Sequence, residues 1–324
     1  MIALARQKET VACSFDGLIK GRCLGRLPQL FKYQVLFFYK DRQMKHTTRK
    51  LGIIAGGGTI PKMLVKECQA QGIDFTVLAI EGNADKAFFE NADFPCRFLR
   101  IGQAGTGFKH FAKEKVQDVV MIGTIRRPSF FDLVPDLRTT AFFAKVGAKA
   151  LGDDGLLRAL VSEIEKEGMT VKGVHEVMPC LLIKEGLLTK HKPSKQDKID
   201  MKRGVEAAWE LGRLDIGQAA IVQQGLVLGV EGIEGTDELI RRCKNYRRKG
   251  GGGVLVKLRK PTQDMRIDLP TIGPRSVELA HESELAGIVV HAGNGLIVNE
   301  AETIALADKY GMFIMGVTPD EYLK

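Results

Sequence analysis

Residues 51–72 constrain the fold more than any other stretch of this 324-residue chain. Leu51 to Ala55 is a short apolar run of buried-strand type, Gly56-Gly57-Gly58-Thr59-Ile60-Pro61 is a turn, and a helical pattern runs from Pro61 to about Gln71. Proline in the first turn and Gly72 past the last are the expected helix punctuation. A strand feeding a glycine turn and a helix starts a βαβ unit, which commits the chain to a largely parallel sheet. Unpaired N–H groups and the helix dipole then point at whatever occupies the turn. Gly57, Gly58, Thr59 and Ile60 are therefore candidates for holding a phosphate, a sugar or a nucleotide. The dinucleotide fingerprint needs glycine at its first, third and sixth positions, and the sixth here is Pro61, which argues against an NAD site. The plainer alternative is a tight turn that binds nothing.

Alternating strand and helix signals continue downstream. Phe75 to Ile80 reads as a second strand, Gly102 to Gly107 as a glycine-rich loop, and Val116 to Ile122 as a later strand running into Gly123-Thr124-Ile125-Arg126-Arg127. Ligands gather beyond the carboxyl ends of strands in open α/β sheets, so the loops 56–59 and 123–124 are expected to meet over one crevice. Gly152-Asp153-Asp154-Gly155 opens a helix to about Lys166 with Asp153 as its cap, and Val171 to Val177 reads as a strand whose His175 is structural. The fold class is α/β, an N-terminal Rossmann-like βαβ domain followed by a mixed α+β C-terminal domain. The expected organisation is a basic extension over 1–43, the Rossmann-like domain over 44–180, a linker over 181–200 and the C-terminal domain over 201–324. The last contains a helix from Ile199 to Leu211 and a hairpin of Ala219–Gln223 with Leu226–Val230 about Gln224-Gly225. An acidic, glycine-rich cluster at 231–238 then opens a helix at Asp237. Strands are expected at 285–290, 296–298 and 312–317, with a helix from about Glu300 to Tyr310.

The densest chemistry lies in residues 253–275. Val254, Val256 and Leu258 alternate with Lys257 and Arg259 as in a half-buried strand, and after Pro261 the alternation resumes, with Met265, Ile267 and Leu269 opposite Asp264, Arg266 and Asp268. Proline at 261, 270 and 274 argues against a helix. One ribbon thus carries Lys257, Lys260 and Arg266 beside two aspartates, which suits a phosphate held with Mg²⁺. In an extended chain rising about 3.3 Å per residue the two carboxylates lie roughly 13 Å apart, so unless the chain bends only one of them can ligate a given ion. The competing reading is a solvated strand face with surface ion pairs.

Of the net charge of +9, +5 falls in residues 1–43, leaving +4 over the other 281. With neither a basic stripe interleaved with aromatics nor a known motif, nucleic acid is not an expected partner. The run Arg241 to Lys249 reads as a solvated helix end and loop, or as a contact with an anionic membrane surface. No apolar run reaches the ~20 residues of a membrane span, so the chain reads as soluble. Six cysteines without C-x-x-C pairing read as reduced cytoplasmic thiols. Met44 is read as the natural start, with the first 43 residues as upstream read-through.

Six motifs in order carry a resemblance. Leu-Gly-Ile-Ile-Ala-Gly-Gly-Gly-Thr-Ile-Pro at 51–61, Gly-Asp-Asp-Gly-Leu-Leu at 152–157 and His-Glu-Val-Met at 175–178 are the first three. Gly-Arg-Leu-Asp-Ile-Gly-Gln at 212–218, Glu-Gly-Thr-Asp at 234–237 and Asp-Leu-Pro-Thr-Ile-Gly at 268–273 follow. From Lys50 to the C-terminus the chain resembles the LpxI-type UDP-2,3-diacylglucosamine pyrophosphatases of lipid A biosynthesis. The resemblance implies a Rossmann-like domain, a second domain of the family's own topology and a lipid substrate between them. It implies Mg²⁺-dependent hydrolysis of the substrate to UMP and 2,3-diacylglucosamine 1-phosphate, with water attacking the sugar-side phosphorus. The family's metal-binding carboxylate falls on Asp268, while Asp264 has no assigned role and is kept as a supporting acid. On that basis Lys257 and Lys260 are expected to neutralise the leaving UMP. Gly57, Gly58, Thr59, Ile60, Gly123 and Thr124 would hold sugar or phosphate. Asp215, Gly235, Thr236 and Asp237 within the motifs, with Glu231 beside them, complete the expected substrate-binding set, and Glu231, Glu234 or Asp237 is the expected second acid. The implied partner is a small-molecule lipid, UDP-diacylglucosamine, in the cytoplasm, with room for peripheral contact with the inner-membrane surface and for a homodimer. The rival classes are a nucleotide-dependent oxidoreductase or epimerase, and a non-enzymatic binder of sugar-nucleotide lipids.

Overall fold

The computed structural model describes residues 49–125, 135–146, 153–261 and 263–323. The readings of residues 1–43, of Met44, of Arg126, Arg127 and of Gly152 lie outside the described residues.

The apolar run at 51–55 forms β1 (Leu51–Ala55), followed by α1 (Ile60–Gln71), β2 (Phe75–Ile80), α2 (Lys86–Glu90), β3 (Cys96–Leu99), α3 (Ala104–Lys113) and β4 (Asp118–Ile122). Then come α4 (Leu137–Val146), α5 (Asp153–Lys166) and β5 (Thr170–Lys172). These strands make a five-stranded sheet in the order β3-β2-β1-β4-β5 with every pairing parallel. Ile53, Val77 and Val120 share a register and face α1, while Leu78, Val119 and Met121 face the side covered by Phe111 of α3 and Ile164 of α5. Burial on both faces is why these strands read as unbroken apolar runs.

Two expectations fail here. Gly105 and Gly107 lie inside α3 rather than in a loop, because the Asp136 carboxylate accepts the Gly105 and Thr106 N–H groups at 2.8 and 3.3 Å and caps the helix from a distant segment. The expected strand at 171–177 ends at Lys172, and Val174–Val177 is instead the single-turn α6, which carries His175; the Glu176 carboxylate accepts the Gly173 N–H at 2.8 Å and turns the chain.

The second half contains β6 (Gly186–Leu187), α7 (Lys195–Arg213), β7 (Ala219–Gln223), β8 (Leu226–Val230), α8 (Thr236–Cys243) and β9 (Val254–Lys257). It continues with β10 (Thr271–Ile272), α9 (Pro274–Glu282), β11 (Gly287–His291), β12 (Leu296–Ile297), α10 (Glu300–Lys309) and β13 (Phe313–Val317). Six of these strands form a mixed sheet, β6-β13-β11-β9-β7-β8, and β10 pairs with β12 in a small parallel ribbon. The expected linker is structured: β6 pairs antiparallel with β13, and α7 starts at Lys195, where the Ser194 Oγ accepts the Asp197 N–H at 3.1 Å and the Asp197 carboxylate accepts the Ser194 N–H at 2.8 Å. The hairpin is as expected, with Gln224 and Gly225 both at positive φ, the signature of a type I′ turn.

The 253–275 ribbon departs most from its expectation. Val254, Leu255 and Val256 are all buried, since β9 lies between β7 and β11 with α7 over one face. Residues 264–268 are not extended but a turn, in which the Asp264 carbonyl accepts the Ile267 N–H at 3.1 Å. The three apolar residues of the predicted stripe consequently part company. Met265 and Leu269 join the core on the α1 face of the first sheet, and Ile267 joins the core on the other face. Pro274 opens a helix instead of preventing one, because its missing N–H costs nothing in the first turn.

Candidate active site

The two glycine loops meet as expected. Gly57 and Thr124 form an antiparallel bridge, the Gly57 N–H donating to the Thr124 carbonyl at 2.8 Å and the Thr124 N–H returning to the Gly57 carbonyl at 3.0 Å. A Cβ on Gly123 would fall 2.6 Å from the Gly57 oxygen, and Gly123 has a φ of +101°, so glycine is required there on two counts. The junction lies where the strand order reverses between β1 and β4, the ligand position of a doubly wound sheet.

Beside it opens a cavity of about 1290 Å³, above the range of common small-molecule clefts. Its walls are largely hydrocarbon: Leu78 and Met121 from the sheet, Phe108 and Phe111 from α3, Phe142 from α4 and Leu160 from α5. Its polar end is built from both halves of the chain. Gly57, Gly58, Thr59 and Ile60 bring the N-terminus of α1; Thr271 to Ser276 bring the N-terminus of α9; and Gly123, Thr124, Asp268 and Arg266 complete the rim. The Thr59 side chain makes no cap hydrogen bond to the first turn of α1, and residues 57–60 leading into that helix line the cavity, whereas the Asp136 carboxylate occupies N–H groups at the start of α3.

The expected residues separate into two sets. Gly57, Gly58, Thr59, Ile60, Gly123, Thr124 and Asp268 all line the cavity. Lys257, Lys260, Asp215, Glu231, Gly235, Thr236, Asp237 and Asp264 are not among the lining residues. Lys257 donates to the Thr271 carbonyl at 3.2 Å and ties β9 to β10, and Lys260 pairs with Asp215 at 2.7 Å. Glu231 is buried with both oxygens in use, accepting from the Gln218 N–H at 2.9 Å and the Thr236 hydroxyl at 2.6 Å. Such a carboxylate braces the β8–α8 connection.

The two aspartates that spacing left equivalent have different surroundings. Arg266 hydrogen-bonds both oxygens of Asp264, at 2.6 Å from Nη2 and 3.0 Å from Nε, and these bonds hold the Asp264 carboxyl below the usual carboxylate range. The same guanidinium reaches Glu165 at 2.7 Å and is pushed further toward permanent charge. Asp264 is thus a poor metal ligand, its lone pairs already committed. Asp268 is exposed on the cavity wall, with Oδ2 accepting from the Gln263 amide at 2.6 Å. Among the described residues there is no group of three or more His, Cys, Asp or Glu side chains placed to hold a metal. The cavity lining holds two carboxylates, Asp268 and Glu163, which fits Mg²⁺, an ion that takes one or two carboxylates and fills its shell with water and phosphate oxygens, and does not fit Zn²⁺, which needs three or four protein ligands.

Arg266 apart, sequence reasoning missed the cavity's arginines, Arg100, Arg138 and Arg275. Arg275 follows Pro274 on the first turn of α9, and Arg100 lies after β3 in an exposed pair with Glu81. The Gly273-Pro274 pair was the available signal, since proline after glycine reads equally well as a helix start.

The LpxI N-terminal domain model matches residues 50–181, and the LpxI C-terminal domain model matches residues 184–315. The chain is 41% identical over 280 residues to a Caulobacter vibrioides protein named UDP-2,3-diacylglucosamine pyrophosphatase LpxI, covering 84% of this chain and 99% of that one. A solved structure of CobK precorrin-6A reductase aligns over 84% of this chain and 89% of its own at 12% identity and a TM-score of 0.29, a likeness too slight to bear on fold or function. Matched over both halves, in order, by the family's two domain models, the chain belongs to the LpxI family.

Proposed function

We propose that this chain hydrolyses the pyrophosphate of UDP-2,3-diacylglucosamine to UMP and 2,3-diacylglucosamine 1-phosphate, a step of lipid A biosynthesis. The observation that carries the reading is a single cavity joining a hydrocarbon wall to a polar rim of two helix N-termini, Asp268 and arginine. Two acyl chains suit the wall, and a diphosphate suits the rim, where backbone N–H groups and helix dipoles favour anions.

The Asp268 carboxylate would hold Mg²⁺ against the pyrophosphate. When bound there, the ion supplies charge neutralisation and a coordinated water of lowered pKa. The open first turn of α1 orients one phosphate, and the start of α9 with Arg275 orients the other. Water adds to the sugar-side phosphorus, the bond from that phosphorus to the bridging oxygen breaks, and UMP leaves with that oxygen. The positions of Lys257 and Lys260 support a role in bracing the ribbon rather than direct contact with UMP. The test is UMP release from the diacylated UDP-sugar with and without Mg²⁺. Wild type should turn over only with the metal, and Asp268→Ala should lose at least about 10²-fold in kcat. Metal-independent release, or full activity of Asp268→Ala, defeats the reading.

Contact with the cytoplasmic side of the inner membrane belongs to the same proposal. No described helix is long and apolar enough to cross a membrane, yet the cavity-lining Ile125 is 48% exposed and Leu137, next to the cavity-lining Arg138, is 92% exposed. Ile125→Asp with Leu137→Asp should weaken sedimentation with anionic vesicles. A homodimer is supported by Leu226 and Val227, exposed on the sheet-edge strand β8, and sedimentation equilibrium decides it.

A further inference from the structure

The turn at 264–268 brings Gln263 and Asp268, five positions apart in the sequence, into contact. Gln263 is 3% exposed, and each end of its carboxamide is engaged: Oε1 accepts the Lys260 N–H at 3.1 Å, and Nε2 donates to Asp268 Oδ2 at 2.6 Å. Its main chain is anchored as well, the carbonyl accepting from Arg259 Nη1 at 2.9 Å and the N–H donating to the Lys260 carbonyl at 3.1 Å.

These contacts determine which way the amide points. A backbone N–H can only donate, so the end facing Lys260 must be the oxygen, and the NH₂ is left to face the carboxylate. The reversed amide would set two donors against each other and an oxygen against an ionised oxygen. A long side chain that loses its rotamer freedom in the folded chain imposes one orientation on the shorter, exposed side chain it touches.

We propose that Gln263 is a positioning residue for Asp268: its buried carboxamide holds the Asp268 carboxylate in one orientation toward the cavity, ready for a divalent cation. This inference rests on the reading of Asp268 as the metal-holding carboxylate. Arg259 serves it at one remove by pinning the Gln263 carbonyl. Outer partners of this kind typically alter metal affinity or activity by about 10- to 100-fold when removed.

Two near-isosteric variants test it. Gln263→Met removes both polar ends, whereas Gln263→Glu keeps an oxygen for the Lys260 N–H and turns an acceptor toward Asp268. The first readout involves no turnover: free Mn²⁺, standing in for Mg²⁺, is titrated by electron paramagnetic resonance in the presence of UMP. The second is steady-state UMP release. Both variants should bind Mn²⁺ about 10- to 100-fold more weakly and lose kcat by a comparable factor, with KM within about twofold of wild type and the thermal midpoint nearly unchanged. If Gln263→Met fails to fold, Gln263→Glu is read alone. Wild-type Mn²⁺ affinity and kcat in the folded variants overturn the inference, as does a wild type that binds no Mn²⁺. A wild type that binds Mn²⁺ but releases no UMP defeats the activity proposed above, and the Mn²⁺ titration of the variants then judges Gln263 by itself.

Discussion

Asp200, 1% exposed on α7, holds the β7–β8 turn from beneath: its carboxylate accepts the Gln224 N–H at 3.0 Å, the Gly225 N–H at 2.6 Å and the Gln196 amide at 3.1 Å. Hydrogen bonds to a charged acceptor contribute more than neutral ones, and removing the acceptor strands buried donors. Asp200→Ala should therefore cost about 3 kcal/mol in urea unfolding. His291, at the end of β11, is 7% exposed; burial first, then the neighbouring Arg259 cation, lowers its pKa to about 4, with Asp320 opposing. The unfolded chain, whose histidine titrates near 6.5, then binds more protons than the folded one between about pH 4 and 6.5. This residue's share of stability is present above pH 6.5 and is lost as pH falls through that window, by up to about 3 kcal/mol. His291→Gln should flatten the pH dependence of the unfolding free energy by about that amount between pH 7 and 4. At this scale the sequence showed which residue types lay near one another, but not their partners. Asp264 and Asp268 are alike in spacing, and Arg266 folding back onto one of them made them different. Gln263 attracted no attention because a glutamine between charged residues has the signature of a surface.

At the scale of the element, Gly204 shows why propensity alone misleads. In the middle of α7 a glycine costs about 1 kcal/mol against alanine, so Gly204→Ala would stabilise an isolated helix. Here the added Cβ would overlap the Cγ2 methyl of Val256, a fully buried residue of β9. Overpacking of this kind costs about 1–3 kcal/mol, which outweighs the propensity gain. Gly204→Ala should lower stability by about 1 kcal/mol, and Val256→Ala in the same chain should be less damaging than additivity predicts, as a double-mutant cycle would report. Most elements were legible because their signals are local: the 51–72 unit, the 219–230 hairpin and the C-terminal strands all formed close to the expected bounds. The failures share a cause. At α3, α6 and the 264–268 turn, the chain's direction is set by hydrogen bonds that Asp136 and Glu176 accept and Arg266 donates, or by the cores that receive Met265, Ile267 and Leu269.

For the whole molecule, the cavity draws its walls from the first half of the chain and its rim from both, so an occupant that fills it bridges two sheets. A ligand that binds only the folded chain stabilises it by about 2.7 kcal/mol at a hundred times its dissociation constant. If the proposed reading holds, the diacylated UDP-sugar should raise the thermal midpoint of Asp268→Ala by several degrees, and UMP, which lacks the acyl chains, should raise it much less at equal concentration. Equal shifts would contradict a cavity that receives the acyl chains. By itself the sequence determined the periodic elements, the two glycine loops and their meeting over the β1–β4 crevice, since hydrophobic period, turn chemistry and strand order are local or follow from general rules of α/β topology. Only the tertiary structure decided that residues 264–268 turn rather than extend, that Asp268 faces the cavity while Asp264 is taken by arginine, and that Lys257 and Lys260 brace the ribbon. Those outcomes depend on partners such as Glu165 and Asp215, which are distant in sequence.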